Sequence, residues 1–80
     1  MFSADRIKTL IEANIPDSTA IVRDDANDGE HFSAAVTSPA FEGKSLVAQQ
    51  RMVYAALGHH MHSDIHALAL RTYVPAKWPH

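Results

Sequence analysis

The chain has 80 residues, 46% apolar and 20% charged, which suits one folded domain with a modest core and is too apolar a composition for intrinsic disorder. A formal charge of −2 with only seven basic residues argues against tight nonspecific nucleic-acid binding. Cysteine is absent, which excludes a disulfide and a thiolate ligand from this chain, and no apolar run approaches the roughly 18–20 residues of a membrane span.

The start, Met1-Phe2-Ser3-Ala4-Asp5-Arg6, lacks the basic-then-apolar order of a signal peptide, so cytoplasmic residence is expected. Ile7, Leu10, Ile11 and Ile15 recur at spacings of three and four and predict an amphipathic helix over Ala4 to Asn14. Ser3 is placed to cap its first turn, Asp5 suits the positive end of the helix dipole, and Phe2 with Ile7 fits a hydrophobic staple. Pro16 and Asp17 end it.

Thr19-Ala20-Ile21-Val22-Arg23 reads as a short strand, and Asp24 to Glu30, with four acids, as a loop. From His31 to Ser38, Phe32, Ala34 and Val36 alternate with Ser33, Ala35 and Thr37, the period of a half-buried strand antiparallel to the first. Pro39 stops it. Phe41 to Ser45 turns the chain into a second helix, with Ser45 as N-cap and Gly43 free to take positive φ. Leu46, Val53 and Leu57, widened by Val47, Tyr54 and Ala56, are the expected inner stripe, with Gln49, Gln50 and Arg51 on the solvent side. Gly58 breaks the helix, and His59 to Asp64 allows a further short turn. Ile65 to Tyr73 reads as the third strand, after which Trp78 is expected to fold back over an edge of the core.

The fold class is therefore α+β, a single domain over residues 1–80 in the order helix, strand, strand, helix, short helix, strand. A helix between the second and third strands permits a crossover, so a three-stranded mixed sheet with the helices on one face is expected.

That order and certain residues resemble the BolA family. They are Phe32-x-x-x-Val36-x-Ser38, Phe41-Glu42-Gly43-Lys44, Gln50-Arg51-x-Val53-Tyr54-x-x-Leu57 and, most distinctive, Ile65-His66-Ala67-Leu68-Ala69-Leu70 followed by Thr72, Pro75 and Trp78. The resemblance implies a fold like the second type of KH domain, although the GxxG loop with which KH domains grip RNA is absent. Family members are associated with two roles, nucleic-acid binding in transcriptional control and sharing of a [2Fe–2S] cluster with a monothiol glutaredoxin and its glutathione. In the second role a histidine from the start of the last strand ligates iron, which matches His66. Gln49-Gln50 stands where many members carry a basic-His pair, and this places the chain nearer to the subgroup named for the bacterial protein IbaG. The loop between the first two strands, where some relatives carry a Cys or His ligand, has neither here, leaving His31 at its end as the nearest second ligand.

A neutral imidazole can replace a thiolate on one iron and raises the reduction potential. Against this stands the plainer reading of His66 as a half-buried histidine with local partners, and of His31 as an exposed strand-end residue. His59-His60-x-His62 reads as a surface histidine patch with adventitious metal affinity, since no HExxH-type zinc motif is present. Lys44, Arg51, Arg71 and Lys77 are the candidate nucleic-acid surface, or equally an ordinary solvated face. No cysteine nucleophile, GxSxG elbow, P-loop or dinucleotide fingerprint is present, and adjacent Asp24-Asp25 would point to opposite sides of an extended chain. The expectation is thus a non-enzymatic adaptor, a monomer or weak dimer when free, with a nucleic-acid-binding regulator as the alternative.

Overall fold

The computed structural model describes residues 2–65 and 67–78, the side chain of His62 excepted. Among these residues the elements run α1 (Ala4–Asn14), β1 (Thr19–Asp24), β2 (His31–Thr37), α2 (Leu46–Leu57), α3 (His60–Ser63) and β3 (Ala67–Tyr73), with 3-10 turns at Pro39–Phe41 and Pro75–Lys77. The sheet order is β1-β2-β3; β1 pairs antiparallel with β2, and β3 lies parallel to β2 after the α2 crossover. This is the mixed α+β arrangement expected from the sequence.

Local chemistry sets the limits of the helices. The Ser3 hydroxyl accepts the Arg6 N–H at 3.1 Å, and Ser45 accepts that of Ala48 at 3.1 Å, each satisfying an amide that has no partner inside its own helix. Asp17, at φ 51°, turns the chain after α1, and Gly58, at φ 59° and ψ −139°, ends α2 in a conformation open essentially only to glycine.

One face of the sheet carries Ala20, Phe32, Ala34 and Val36, which pack with Ile7 and Ile11 of α1 and with Val53 and Leu57 of α2. Phe41 completes this core from the 3-10 turn after β2, and Ile65 joins it just before β3. Each large apolar side chain buried in this way contributes about 1.5–3 kcal/mol. The turn that delivers Phe41 is held by Ser38, fully buried, whose hydroxyl donates to the Pro16 carbonyl at 2.5 Å and accepts the Ala40 N–H at 3.0 Å.

Helix α2 is rotated from the orientation its sequence suggests. Leu46, Val47 and Tyr54, expected inside, are 60%, 57% and 38% exposed. Gln49, expected in solvent, turns toward β3, where it accepts the Thr72 hydroxyl at 2.7 Å and donates to the Lys44 carbonyl at 2.9 Å. A helix with apolar residues around most of its circumference leaves its orientation to tertiary packing, and here the polar pairing with Thr72 joins the packing of Val53 and Leu57 in setting it. Trp78 meets Tyr73 at the end of β3 edge-on, with ring centroids 5.6 Å apart.

Candidate functional site

The parallel pairing of β2 with β3 brings two distant parts of the sequence together. His31, first residue of β2, lies opposite Ala67, first residue of β3, and the Ala67 N–H donates to the Glu30 carbonyl at 3.0 Å. The end of the acidic loop and the start of the last strand thus form one corner of the sheet. His66 lies outside the described residues; its flanking residues are Ile65, buried, and Ala67, exposed.

The loop leading into this corner uses its acids as backbone acceptors. Asp24 accepts the N–H groups of Asp28 and Gly29 at 3.2 and 2.8 Å, while Asp25 accepts the Ser33 hydroxyl at 3.0 Å. Asp28 accepts the Glu30 and His31 amides at 2.9 and 3.1 Å through one oxygen and meets His31 Nδ1 at 2.8 Å through the other. The Glu30 amide first, and then the His31 ring, hold the Asp28 carboxyl down to about 2. The same contact with Asp28 raises the His31 pKa. A carboxylate behind one ring nitrogen is the arrangement that orients metal-ligating histidines, directing ligation to the other nitrogen. The donor set at this corner therefore suits imidazole ligation, and the chain, having no cysteine, offers no thiolate.

Sequence reasoning identified His31 but missed Asp28, its supporting carboxylate. The available signal was the Asp28-x-x-His31 spacing at a strand start, which remains ambiguous until a turn closes the two side chains together. Positive φ at Asn27 and Gly29, 53° and 73°, accompanies that closure.

The second candidate surface is cationic. Lys44, Arg51, Arg71 and Lys77 are all exposed, and none has an acidic partner among the described residues. Arg71 lies on the sheet face away from the helices. With Arg23, Ser33, Ala35 and Tyr73 of the sheet and with Leu46 and Gln50 of α2, it borders an open groove of about 700 Å³ whose lining contains no acid. Arg23 had not been singled out from the sequence, because an arginine at a strand end is common on any solvated face. Charge is divided along the chain: residues 1–42 carry eight acids and three bases, and residues 43–80 carry one acid and four bases.

The family model described as BolA-like protein matches residues 10–77. The chain belongs to the BolA-like family. Among solved structures, that of a BolA protein homologue from Coxiella burnetii superposes with a TM-score of 0.83 at 45% identity, covering 96% of each chain. The acid stress protein IbaG of Escherichia coli is 35% identical over 54 residues, 66% of this chain and 64% of IbaG, in keeping with the leaning of the two glutamines. The DNA-binding transcriptional regulator BolA of the same organism is 34% identical over 53 residues, 66% of this chain and half of that protein. Against the BolA-like protein 1 of cattle the match reaches 44% over 48 residues but spans only 36% of that relative's length.

No helix among the described residues of this BolA-like chain is long and apolar enough to cross a membrane. The matched region runs through both strands that form the corner at His31 and Ala67.

Proposed function

We propose that this BolA-like protein is a binding adaptor without catalytic turnover, which receives or passes on a [2Fe–2S] cluster in a mixed complex with a monothiol glutaredoxin. The cluster is cargo. The glutaredoxin and its glutathione supply thiolates, and His66 supplies the imidazole that completes the shell, with His31 as the second candidate. An imidazole in place of a thiolate reduces electron donation to iron and sets the shared cluster apart from an all-thiolate one. The observation that carries the reading is the pairing of His31 with Ala67, which joins a carboxylate-supported imidazole to the start of the strand that follows His66. Complete absence of cysteine supports it from the other side, since such a chain can take part only as a minority donor.

The test mixes the purified chain with a monothiol glutaredoxin, glutathione, iron and sulfide, and records visible absorption and circular dichroism. His66→Ala is expected to bleach or shift the spectrum of the mixed complex while the far-ultraviolet signal of the fold is retained. An unchanged cluster spectrum would remove His66 from the scheme. His31→Ala, compared in the same assay, tells whether the second imidazole takes part.

The four exposed, acid-free cations favour a second reading, a nucleic-acid-binding regulator, and one relative carries the name of a DNA-binding transcriptional regulator. It expects saturable DNA or RNA binding that weakens with salt, with a log–log slope near −3.6 if all four cations reach phosphate, and weakens again in Lys44→Ala and Arg51→Ala. The eight acids of residues 1–42 oppose this reading, so the cluster adaptor is preferred.

A further inference from the structure

The chain between α2 and β3 carries a second group of donors, apart from the corner at His31. Gly58 ends α2, and α3 follows at once as a single turn closed by the Asp64 N–H donating to the His60 carbonyl at 2.9 Å. Residues four apart share one helix face, and the His60 Nδ1 and an Asp64 carboxylate oxygen lie 2.5 Å apart. His60 is not a loose surface ring. Its side chain is only 16% exposed, and the buried Phe2 ring packs against it at 4.8 Å between centroids. Its backbone carbonyl also accepts the N–H of Ile65, at 2.8 Å, tying the turn to the residue that plugs the core ahead of β3.

Among the described residues, the His59 side chain makes no hydrogen bond that ties it to the turn. His59 occupies the position before the first residue of α3, where a serine or aspartate would cap the helix, yet its side chain makes no capping bond. Its ring lies 4.2 Å from that of His60. One ligand atom from each of His59, His60 and Asp64 falls within 4.8 Å of the others. The hydrogen bond between His60 and Asp64 accounts for those two residues as a helix-turn clasp, but it does not account for a second imidazole beside them.

We propose that His59, His60 and Asp64 form a binding site for a divalent transition-metal ion of the zinc class. Two imidazoles and a carboxylate are a borderline donor set that suits Zn²⁺ and leaves a fourth position for water. Ligands at about 2.0–2.2 Å around a tetrahedral ion stand roughly 3.3–3.6 Å apart, so the clasp opens by about 1 Å while His59 swings in. The ion takes the place of the hydrogen bond between His60 Nδ1 and Asp64, the neutral ring then carrying its one proton on Nε2. Because the site requires the α3 turn, binding stabilises the folded chain by mass action.

The experiment is a calorimetric titration of the untagged, chelator-treated chain with Zn²⁺ alone, in a buffer that does not bind metal and with no glutaredoxin or cluster present. The result is thereby independent of the adaptor reading. One ion per chain is expected, with the dissociation constant raised at least tenfold in His59→Gln, His60→Gln and Asp64→Asn. Binding is expected to change less than about twofold in His31→Ala and His66→Ala. His59 is exposed and makes no capping bond, so His59→Gln keeps the test valid even if His60→Gln disturbs the packing on Phe2. Zinc-dependent shifts of the His59 and His60 ring resonances are the second readout. Zinc binding that survives the three substitutions, or is abolished by His31→Ala or His66→Ala, overturns the proposal, as does the absence of saturable binding.

Discussion

Single side chains at the ends of β2 show how little redundancy so small a fold carries. Ser38 links the chain after α1 to the turn that delivers Phe41, and both of its hydrogen bonds are inside the protein. Ser38→Ala removes the partner of the Pro16 carbonyl and of the Ala40 amide and is expected to lower stability by about 1–2 kcal/mol, read as a lower urea midpoint at unchanged slope. At the other end of the strand, Asp28 and His31 make a pH-dependent pair. His31 has its pKa raised in the fold, so its share of stability is complete below the ordinary histidine value of 6.5 and fades as pH rises through the raised value. Asp28 is held down to about 2 from 3.8, so its share is complete above 3.8 and fades as pH falls toward about 2. Replacing Asp28 with Asn should therefore lower Tm most between about pH 4 and 6.5 and less near pH 8, and should bring the His31 titration, followed by NMR, back toward 6.5. Part of the loss persists at pH 8, because Asp28 also accepts two backbone amides that do not titrate.

At the scale of elements, the sheet is protected on its β1 side by α1. Glu12 accepts the Ala20 N–H at 2.9 Å, and Lys8 donates to the Ala20 carbonyl at 2.8 Å while contacting Glu12 at 2.6 Å. Two groups that an unprotected edge strand would offer to another chain are thus occupied by one ion pair. Glu12→Ala removes the acceptor and releases Lys8, with an expected cost of about 1–2 kcal/mol and a rise in self-association with concentration, measured by sedimentation. Gly58 does comparable work for the chain reversal between α2 and α3. A Cβ there would meet nothing within 4 Å, so Gly58→Ala is penalised only through its backbone conformation. A loss of about 1–3 kcal/mol in thermal or urea unfolding is expected.

For the molecule as a whole, the core is small and shared by almost every element. A domain of this length buries only about 60–65% of its unfolded surface, and domains of its kind sit at the lower end of a stability range of roughly 5–15 kcal/mol. Phe41, fully buried, projects from a turn and not from a helix or strand, yet it belongs to the same cluster as Ile7, Val36 and Leu57. Phe41→Ala is expected to cost about 3–5 kcal/mol, a large part of the total, and to appear as partial unfolding by far-ultraviolet circular dichroism at 37 °C. The division of charge acts at this scale too, since the second half of the chain is net basic while the first half carries the acidic loop that leads to His31.

Much of this architecture is legible in the chain before folding is considered. The ends of α1 and α2 follow from Ser3, Ser45 and Gly58, and the alternation in β2 marks its buried face, because caps and periodicities act between residues a few positions apart. The histidines were equally visible, as was the family pattern around residues 65–70. Three things were not legible. Which way α2 faces was decided when Val53 and Leu57 met the sheet and Gln49 met Thr72, leaving Leu46, Val47 and Tyr54 outside. The neighbourhood of His31 and Ala67 was decided by the parallel crossover, which joins residues 36 positions apart. The supports of the imidazoles, Asp28 for His31 and Asp64 with Phe2 for His60, exist only once a turn has closed. Local steric and hydrogen-bonding rules determine where elements start and stop, whereas the partners of a side chain are set by competition for one shared interior, which no short stretch of sequence contains.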